Sequence, residues 1–79
     1  MSGKKVVVVY SSYGCAACNQ VKEFLAKSGV EFTERNIVED EAALDELSEL
    51  GVLSTPVTVI DGGVVTGYNR KKIEQLLSM

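Results

Sequence analysis

Residues 5–18 carry the sequence KVVVVYSSYGCAAC, in which an apolar run leads through a polar turn to two cysteines. The run Lys5–Tyr10 is mostly valine, which is typical of a strand buried on both faces. Ser11–Gly14 has the serine and glycine content of a loop. This stretch therefore predicts a central strand that ends in a loop and brings Cys15 to the start of a helix.

Two helices are predicted downstream of this strand. The first spans Ala16–Ser28 and stops at Gly29, because glycine readily adopts the left-handed conformation that ends helices. The second follows Asp40 as its N-cap, runs to about Leu50 and stops at Gly51. The inner face of the first carries Ala17, Val21, Phe24 and Leu25, and that of the second carries Ala43, Leu44, Leu47 and Leu50. Both helices are therefore expected to pack on a sheet through one apolar face.

Three further strands are predicted from alternation and turn chemistry. Glu31–Asn36 is expected to lie parallel to the first strand, because a crossover helix joins the two. Val57–Ile60 and Val64–Thr66 flank Asp61-Gly62-Gly63, a strong hairpin signal because glycine accepts the positive φ angles of tight turns. The last two strands are therefore expected to be antiparallel.

A third helix is predicted at the end of the sequence. Asn69 is a suitable N-cap, and the apolar residues that follow at helical spacing are Ile73, Leu76 and Leu77. The order βαβαββα predicts an α/β fold in one domain, residues 1–79, with a four-stranded mixed sheet flanked by three helices. Residues 1–4 are expected to be a loose end.

The composition narrows the classes of function. The chain has 79 residues, of which 46% are hydrophobic and 24% charged, as in an ordinary soluble domain. Acidic residues outnumber basic ones 11 to 8, which argues against a nucleic-acid partner. The apolar run Val6–Tyr10 is far shorter than the roughly 20 residues needed to span a bilayer. We therefore expect a cytoplasmic monomer without nucleic-acid or membrane partners, whose cysteines are catalytic or metal-binding in a reducing compartment.

The pair Cys15 and Cys18 carries the strongest chemical signal. A cysteine at a strand-to-helix junction lies near unpaired backbone N–H groups and the positive end of the helix dipole, which favour its thiolate. Such surroundings lower a thiol pKa from about 8.5 to roughly 3.5–7.5. Residues three apart on a helix are neighbours, so the two sulfurs can close a disulfide. We predict that Cys15 attacks and Cys18 resolves; inert core thiols or a zinc half-site are the alternatives, although the chain has no histidine and no second cysteine pair.

The order of motifs resembles that of glutaredoxin-like members of the thioredoxin superfamily. After the cysteine motif come Thr55-Pro56 before a strand, the hairpin, and Gly67 before the last helix. The resemblance implies a thioredoxin-like, glutaredoxin-type fold and a dithiol–disulfide oxidoreductase without a bound cofactor or metal, acting on protein or small-molecule disulfides. In the family the proline at the position of Pro56 is cis and faces the cysteines. The backbone of Thr55 would then pair with an extended substrate.

The resemblance also implies a substrate or glutathione site around the cysteines, formed by Ser12, Tyr13, Thr55, Pro56, Gly67 and Tyr68. Many glutathione-using glutaredoxins carry a basic residue where this chain has Ser12, and paired glycines where it has Thr66-Gly67. The segment from Thr66 to Arg70 resembles instead the NrdH-redoxins, which take electrons from thioredoxin reductase. Glutathione and an NADPH-linked, thioredoxin-reductase-type flavoprotein are therefore the two expected electron sources.

Two other functions use the same pair of cysteines. Thiolates select Cu(I), and heavy-metal-associated domains also place such a pair after their first strand. That fold ends on a strand, whereas a final helix is predicted here. A dimer bridging an iron–sulfur cluster is the second alternative, with thiolates of two chains or of glutathione as ligands.

Overall fold

Strands and helices follow one another in the predicted order βαβαββα. The structure is a computed structural model that describes residues 5–52 and 54–78. Within them the elements are β1 (Val7–Ser11), α1 (Ala16–Lys27), β2 (Thr33–Asn36), α2 (Glu41–Glu49), β3 (Val57–Ile60), β4 (Gly63–Thr66) and α3 (Arg70–Ser78). The loose end predicted for residues 1–4 lies outside the described residues. None of the three described helices combines the length and the apolar character needed to cross a bilayer.

The four strands form one mixed sheet in the order β2-β1-β3-β4. β1 pairs in parallel with β2 and antiparallel with β3, and β3 pairs antiparallel with β4. β1 is therefore a central strand, as predicted from its valines. Its antiparallel pairing with β3 places the end of β1 beside the start of β3, and Tyr10 pairs with Val57.

The prediction that Ser11 begins a loop is wrong, because Ser11 is the last residue of β1. It pairs with Asn36 of β2 and is almost fully buried. Its hydroxyl donates a 2.7 Å hydrogen bond to Oε2 of Glu34. A serine can be buried in a strand when its hydroxyl has such an acceptor.

Two apolar clusters hold the helices against the sheet. The larger includes buried residues of β1, β3 and β4 together with α1 and α3: Val7, Val9, Val21, Leu25, Ile60, Val65 and Ile73. Leu76 and Leu77 are partly buried against it, as expected for the inner stripe of the last helix. The smaller cluster joins the sheet to α2 through Tyr10, Ala43, Leu47 and Val57. Successive residues of β1 contribute to opposite clusters, because side chains alternate along a strand.

The prediction that Leu44 and Leu50 belong to the inner face of α2 is wrong. Each is 42% exposed, whereas Ala43 and Leu47 are fully buried. Residues four apart lie on one helical face, and Leu44 is rotated about 100° from Ala43. Leu50 is the C-cap at the end of the helix. The short helix therefore contacts the sheet through a narrower stripe than its sequence suggests.

The predicted N-caps of α2 and α3 and the hairpin turn are confirmed. The Asp40 carboxylate accepts hydrogen bonds from the amides of Ala42 and Ala43, and the Asn69 side chain accepts one from the amide of Lys72. In the hairpin, Asp61 and Gly62 have φ angles of 47° and 88°, as a tight two-residue turn requires. β4 consequently begins at Gly63, which pairs with Ile60 one residue earlier than predicted.

Candidate functional site

Cys15 is the N-cap of α1. Its backbone is extended, with φ −108° and ψ 100°, and its Sγ accepts a 3.1 Å hydrogen bond from the amide of Cys18. The first amides of a helix have no partner within the helix, so here one of them donates to sulfur. The start of the helix also carries a partial positive charge. This position therefore favours negative charge on Cys15.

Cys15 and Cys18 form a disulfide, with their Cα atoms 5.2 Å apart. The two residues differ sharply in exposure, since Cys15 is half-buried at the start of the helix whereas Cys18 is only 1% exposed. A molecule approaching from solvent therefore meets Cys15 first.

The loop before β3 meets the loop after β1 at the cysteines. The Thr55–Pro56 peptide bond is cis. Thr55 Oγ1 lies 3.9 Å from Cys15 Sγ and 2.7 Å from Ser12 Oγ. These contacts join residues far apart in sequence, because antiparallel β1 and β3 bring the two loops to the same edge of the sheet. The structure thus places Ser12 and Thr55 together beside Cys15.

The remaining predicted binding residues have different surroundings, and Tyr68 lines a groove other than the one that contains Cys15. Tyr13 is 63% exposed in the loop that leads to Cys15. Gly67 donates its amide to the Pro56 carbonyl over 2.8 Å, and open space surrounds the point where a Cβ would stand. Tyr68 packs edge-on against Phe24 of α1, with ring centroids 6.5 Å apart. Gly67 is therefore tied to the proline loop, while Tyr68 is fixed by the helix.

An open groove of about 440 Å³ runs beside Cys15 toward β2. Ser12 and Tyr13 line it, as expected, together with residues that sequence reasoning did not select: Asn19, Lys22, Glu34 and Asn36. Helical spacing does offer a signal for two of these, since residues 15, 19 and 22 fall on one side of a helix. Glu34 and Asn36 come from β2, and their place in the groove depends on the register of the sheet.

The groove contains a charged network. Glu34 Oε2 accepts 2.8 Å and 2.7 Å hydrogen bonds from Lys22 Nζ and Ser11 Oγ. Both bonds lower the pKa of the Glu34 carboxyl, and the bond from Lys22 has the larger effect. The network ties the middle of α1 to β1 and β2.

A second charged network fixes β2 to α2. The Arg35 guanidinium donates to Glu46 over 2.6 Å and to Asp40 over 3.1 Å, and the Tyr10 hydroxyl also donates to Glu46 over 2.8 Å. The hydrogen bond from Arg35, followed by that from Tyr10, lowers the pKa of Glu46. Burial is the main cause of the raised pKa of Tyr10, and its bond to Glu46 adds to it. This network joins β1 and β2 to α2.

The described residues bear on the metal alternatives in two ways. Within residues 5–52 and 54–78, no three histidine, cysteine or acidic side chains lie close enough together to hold a metal ion. The last element of that part of the chain is α3, whereas the metal-carrier fold considered above ends on a strand.

Solved structures place this arrangement in a known class. A thioredoxin-like protein of 40% sequence identity matches with a TM-score of 0.85, covering 90% of this chain and 99% of that one. A glutaredoxin from Archaeoglobus fulgidus matches at 0.80 and 29% identity, covering 98% and 90%. An Escherichia coli NrdH-redoxin matches at 0.82, covering 89% and 92%, and at 21% identity it shows a shared fold. The fold is that of the thioredoxin class.

Sequence comparison identifies the family within that class. The family model described as Glutaredoxin matches residues 7–65, so the chain belongs to the glutaredoxin family. A glutaredoxin-like 8.6 kDa protein in the rubredoxin operon of Clostridium pasteurianum is 30% identical over 73 residues, covering 91% of this chain and 97% of that protein. The glutaredoxin-like protein NrdH of Lactococcus lactis is 30% identical over 71 residues, covering 90% and 99%. With its cysteine pair, the chain is a thiol–disulfide oxidoreductase.

Proposed function

We propose that this protein is a dithiol electron carrier that reduces protein disulfides and is itself reduced by a thioredoxin-reductase-type flavoenzyme. The observation that carries the proposal is the contrast between half-buried Cys15, which accepts an amide hydrogen bond at the helix start, and buried Cys18. The proposed setting is the cytoplasm, where such reductases keep thiols reduced, and the proposed form is a monomer.

The first step uses the reduced protein. The Cys15 thiolate attacks one sulfur of a substrate disulfide, a new S–S bond forms, and the substrate's other sulfur leaves as a thiolate. The Cys18 amide and the start of α1 stabilise the negative charge on Cys15 before attack. Cys15 is therefore the nucleophile that becomes linked to the substrate.

The second step releases the substrate. Cys18 loses its proton to water, and its thiolate attacks Cys15 Sγ in the mixed disulfide. The bond between Cys15 and the substrate breaks, the second substrate sulfur leaves, and the Cys15–Cys18 disulfide closes. Two electrons have then passed from the protein to the substrate. No bound cofactor is needed for either step.

The loop Thr55–Pro56 supplies the proposed docking edge. An extended substrate segment would pair with the backbone of Thr55, as in other cases of strand addition. Pro56 has no N–H, and its carbonyl already accepts the amide of Gly67. Tyr13, exposed in the loop before Cys15, would contact the same substrate. The open space above Gly67 lets a partner backbone approach.

Three observations favour a flavoenzyme over glutathione as the electron source. Ser12 stands where many glutathione-using relatives have a basic residue, and its hydroxyl contacts Thr55. Lys22, a cation of the adjacent groove, is paired with Glu34. Among the relatives, a protein named NrdH from Lactococcus lactis is 30% identical over 71 residues.

The test supplies electrons to the protein in two ways while insulin disulfides serve as substrate. One mixture contains NADPH and thioredoxin reductase, and the other contains NADPH, glutathione and glutathione reductase. We expect turnover with the first only, and its loss in both Cys15→Ser and Cys18→Ser. Turnover with glutathione alone would overturn the proposed electron source. Turnover with neither, together with tight Cu(I) binding through both cysteines, would support the metal-carrier alternative instead.

A further inference from the structure

Two hydroxyl groups form a series of hydrogen bonds that ends at the sulfur of Cys15. Ser12 Oγ is 2.7 Å from Thr55 Oγ1, and Thr55 Oγ1 donates toward Cys15 Sγ over 3.9 Å. A hydroxyl has one proton to donate. If Thr55 gives its proton to sulfur, the proton in the shorter contact must come from Ser12. The protons are therefore donated in one direction, from Ser12 to Thr55 and from Thr55 to Cys15.

We propose that Ser12 is a positioning residue, which directs the Thr55 hydroxyl proton onto Cys15 Sγ. The inference rests on the proposed function, in which Cys15 is the attacking thiolate. It assigns Ser12 a role other than the substrate contact predicted from its place in the sequence. Ser12 acts through Thr55, whereas Thr55 contacts the reacting sulfur.

The fold restrains both ends of this contact. Ser12 follows directly on β1, and Thr55 lies two residues before Val57, which pairs with Tyr10 of β1. Both side chains are partly buried. A threonine hydroxyl can otherwise rotate its proton toward any nearby acceptor or water. Donation from Ser12 occupies a lone pair of Thr55 Oγ1, which leaves the Thr55 proton for another acceptor.

Reduction of the disulfide strengthens the hydrogen bond from Thr55 to Cys15. In the disulfide, Cys15 Sγ is a weak acceptor, whereas a thiolate carries a full negative charge. The reduced sulfur would receive two donors, the amide of Cys18 and the hydroxyl of Thr55. Hydrogen bonds to the charged form lower the pKa of an acid. Ser12 thereby increases the fraction of Cys15 that is thiolate at neutral pH.

Three variants, two single and one double, test these two hydrogen bonds quantitatively. Thr55→Val removes the donor and should raise the pKa of Cys15 by about one unit. Ser12→Ala leaves Thr55 in place but unrestrained, and should raise that pKa by roughly half as much. The double variant should match Thr55→Val alone, because Ser12 has no route to the sulfur without the Thr55 hydroxyl.

The measurement uses a Cys18→Ser background, in which Cys15 is the only thiol of the chain. The pKa is read from thiolate absorbance against pH and from the pH dependence of alkylation by iodoacetamide. Ser54→Ala, at an exposed position beside Thr55, is the matched control and should leave the pKa unchanged. Ser12→Thr retains the hydroxyl and should restore the value of the parent. Thermal unfolding confirms that each variant is folded.

An unchanged Cys15 pKa in Ser12→Ala would overturn the inference, and so would shifts that simply add in the double variant. Loss of the parent value in Ser12→Thr would also contradict it, because the hydroxyl is still present. The proposed function is tested separately by turnover of insulin. Normal turnover without a Ser12 effect would remove the positioning role alone. Absence of turnover in the parent protein would remove the proposed function.

Discussion

The amide of Cys18 donates a 3.1 Å hydrogen bond to Cys15 Sγ, so the first turn of α1 joins the two cysteines in addition to their disulfide. The donor belongs to the helix backbone and therefore does not depend on a mobile side chain. When the disulfide is reduced, the same amide is in position to stabilise the Cys15 thiolate. The Cys18 amide can therefore stabilise negative charge on the sulfur with little reorganisation.

The narrow contact of α2 with the sheet gives a prediction about stability. Leu47→Ala should reduce the free energy of unfolding by about 2–5 kcal/mol, because Leu47 is fully buried and a cavity would remain. Leu44→Ala is the matched control; with 42% of Leu44 exposed, it should cost less than about 1 kcal/mol. Urea unfolding of the two variants measures the difference. Equal losses would show that both leucines are packed on the sheet.

The Glu34 network gives a prediction about pH. Hydrogen bonds from Lys22 and Ser11 lower the pKa of Glu34 in the folded protein below the unfolded value of about 4.3. The carboxylate therefore stabilises the fold above the unfolded pKa, and this contribution disappears as the pH falls through the folded pKa. Glu34→Gln should cost at most about 0.5 kcal/mol at pH 7, because the side chain is 40% exposed.

The same comparison at a pH below the folded pKa of Glu34 should show almost no difference between Glu34→Gln and the parent, since residue 34 is then neutral in both proteins. Urea unfolding at a series of pH values measures it. Glu49→Gln, at an exposed position of α2, serves as the control for loss of one negative charge. A Glu34→Gln effect that grows toward low pH would contradict the assigned direction.

Gly67 has two possible roles, a positive φ angle in the backbone and an open approach for a partner, and two substitutions can separate them. Its φ of 69° costs a residue with a Cβ about 1–2 kcal/mol, and asparagine tolerates this conformation better than alanine. Gly67→Ala should therefore reduce stability more than Gly67→Asn. If the open space above Gly67 also admits a partner, both variants should raise the KM for the reductase. If KM rises only in proportion to the loss of stability of each variant, Gly67 has the backbone role alone.

Local patterns were sufficient to predict the architecture. The valine run, the caps Asp40 and Asn69 and the Asp61-Gly62 turn each act within a few residues, so their consequences are visible in the sequence. Ser11 was misplaced because its buried hydroxyl depends on Glu34, which is 23 residues away. Leu44 and Leu50 were wrongly assigned to the inner face of α2, because helical spacing does not show how much of a short helix the sheet can cover.

In the candidate site, too, some residues could be predicted from local sequence and others depend on contacts between distant segments. Cys15 and Cys18 were selected from their spacing and position, which are local. The contact between Ser12 and Thr55 joins residues 43 apart, and only the pairing of β1 with β3 brings them together. Tyr68 was expected to line the site, and its packing on Phe24 depends on how α1 lies against the segment before α3. Side-chain partners across elements could therefore not be predicted from sequence alone.

Trapping of the mixed disulfide tests the central claim most directly. Reduced Cys18→Ser and Cys15→Ser are each mixed with insulin, and covalent adducts are separated under non-reducing conditions and located by mass spectrometry. We predict that Cys18→Ser accumulates an adduct through Cys15, because its second step is blocked. Cys15→Ser should react far more slowly, since Cys18 is only 1% exposed. Equal or faster adduct formation at Cys18 would contradict the assignment of Cys15 as the attacking thiolate.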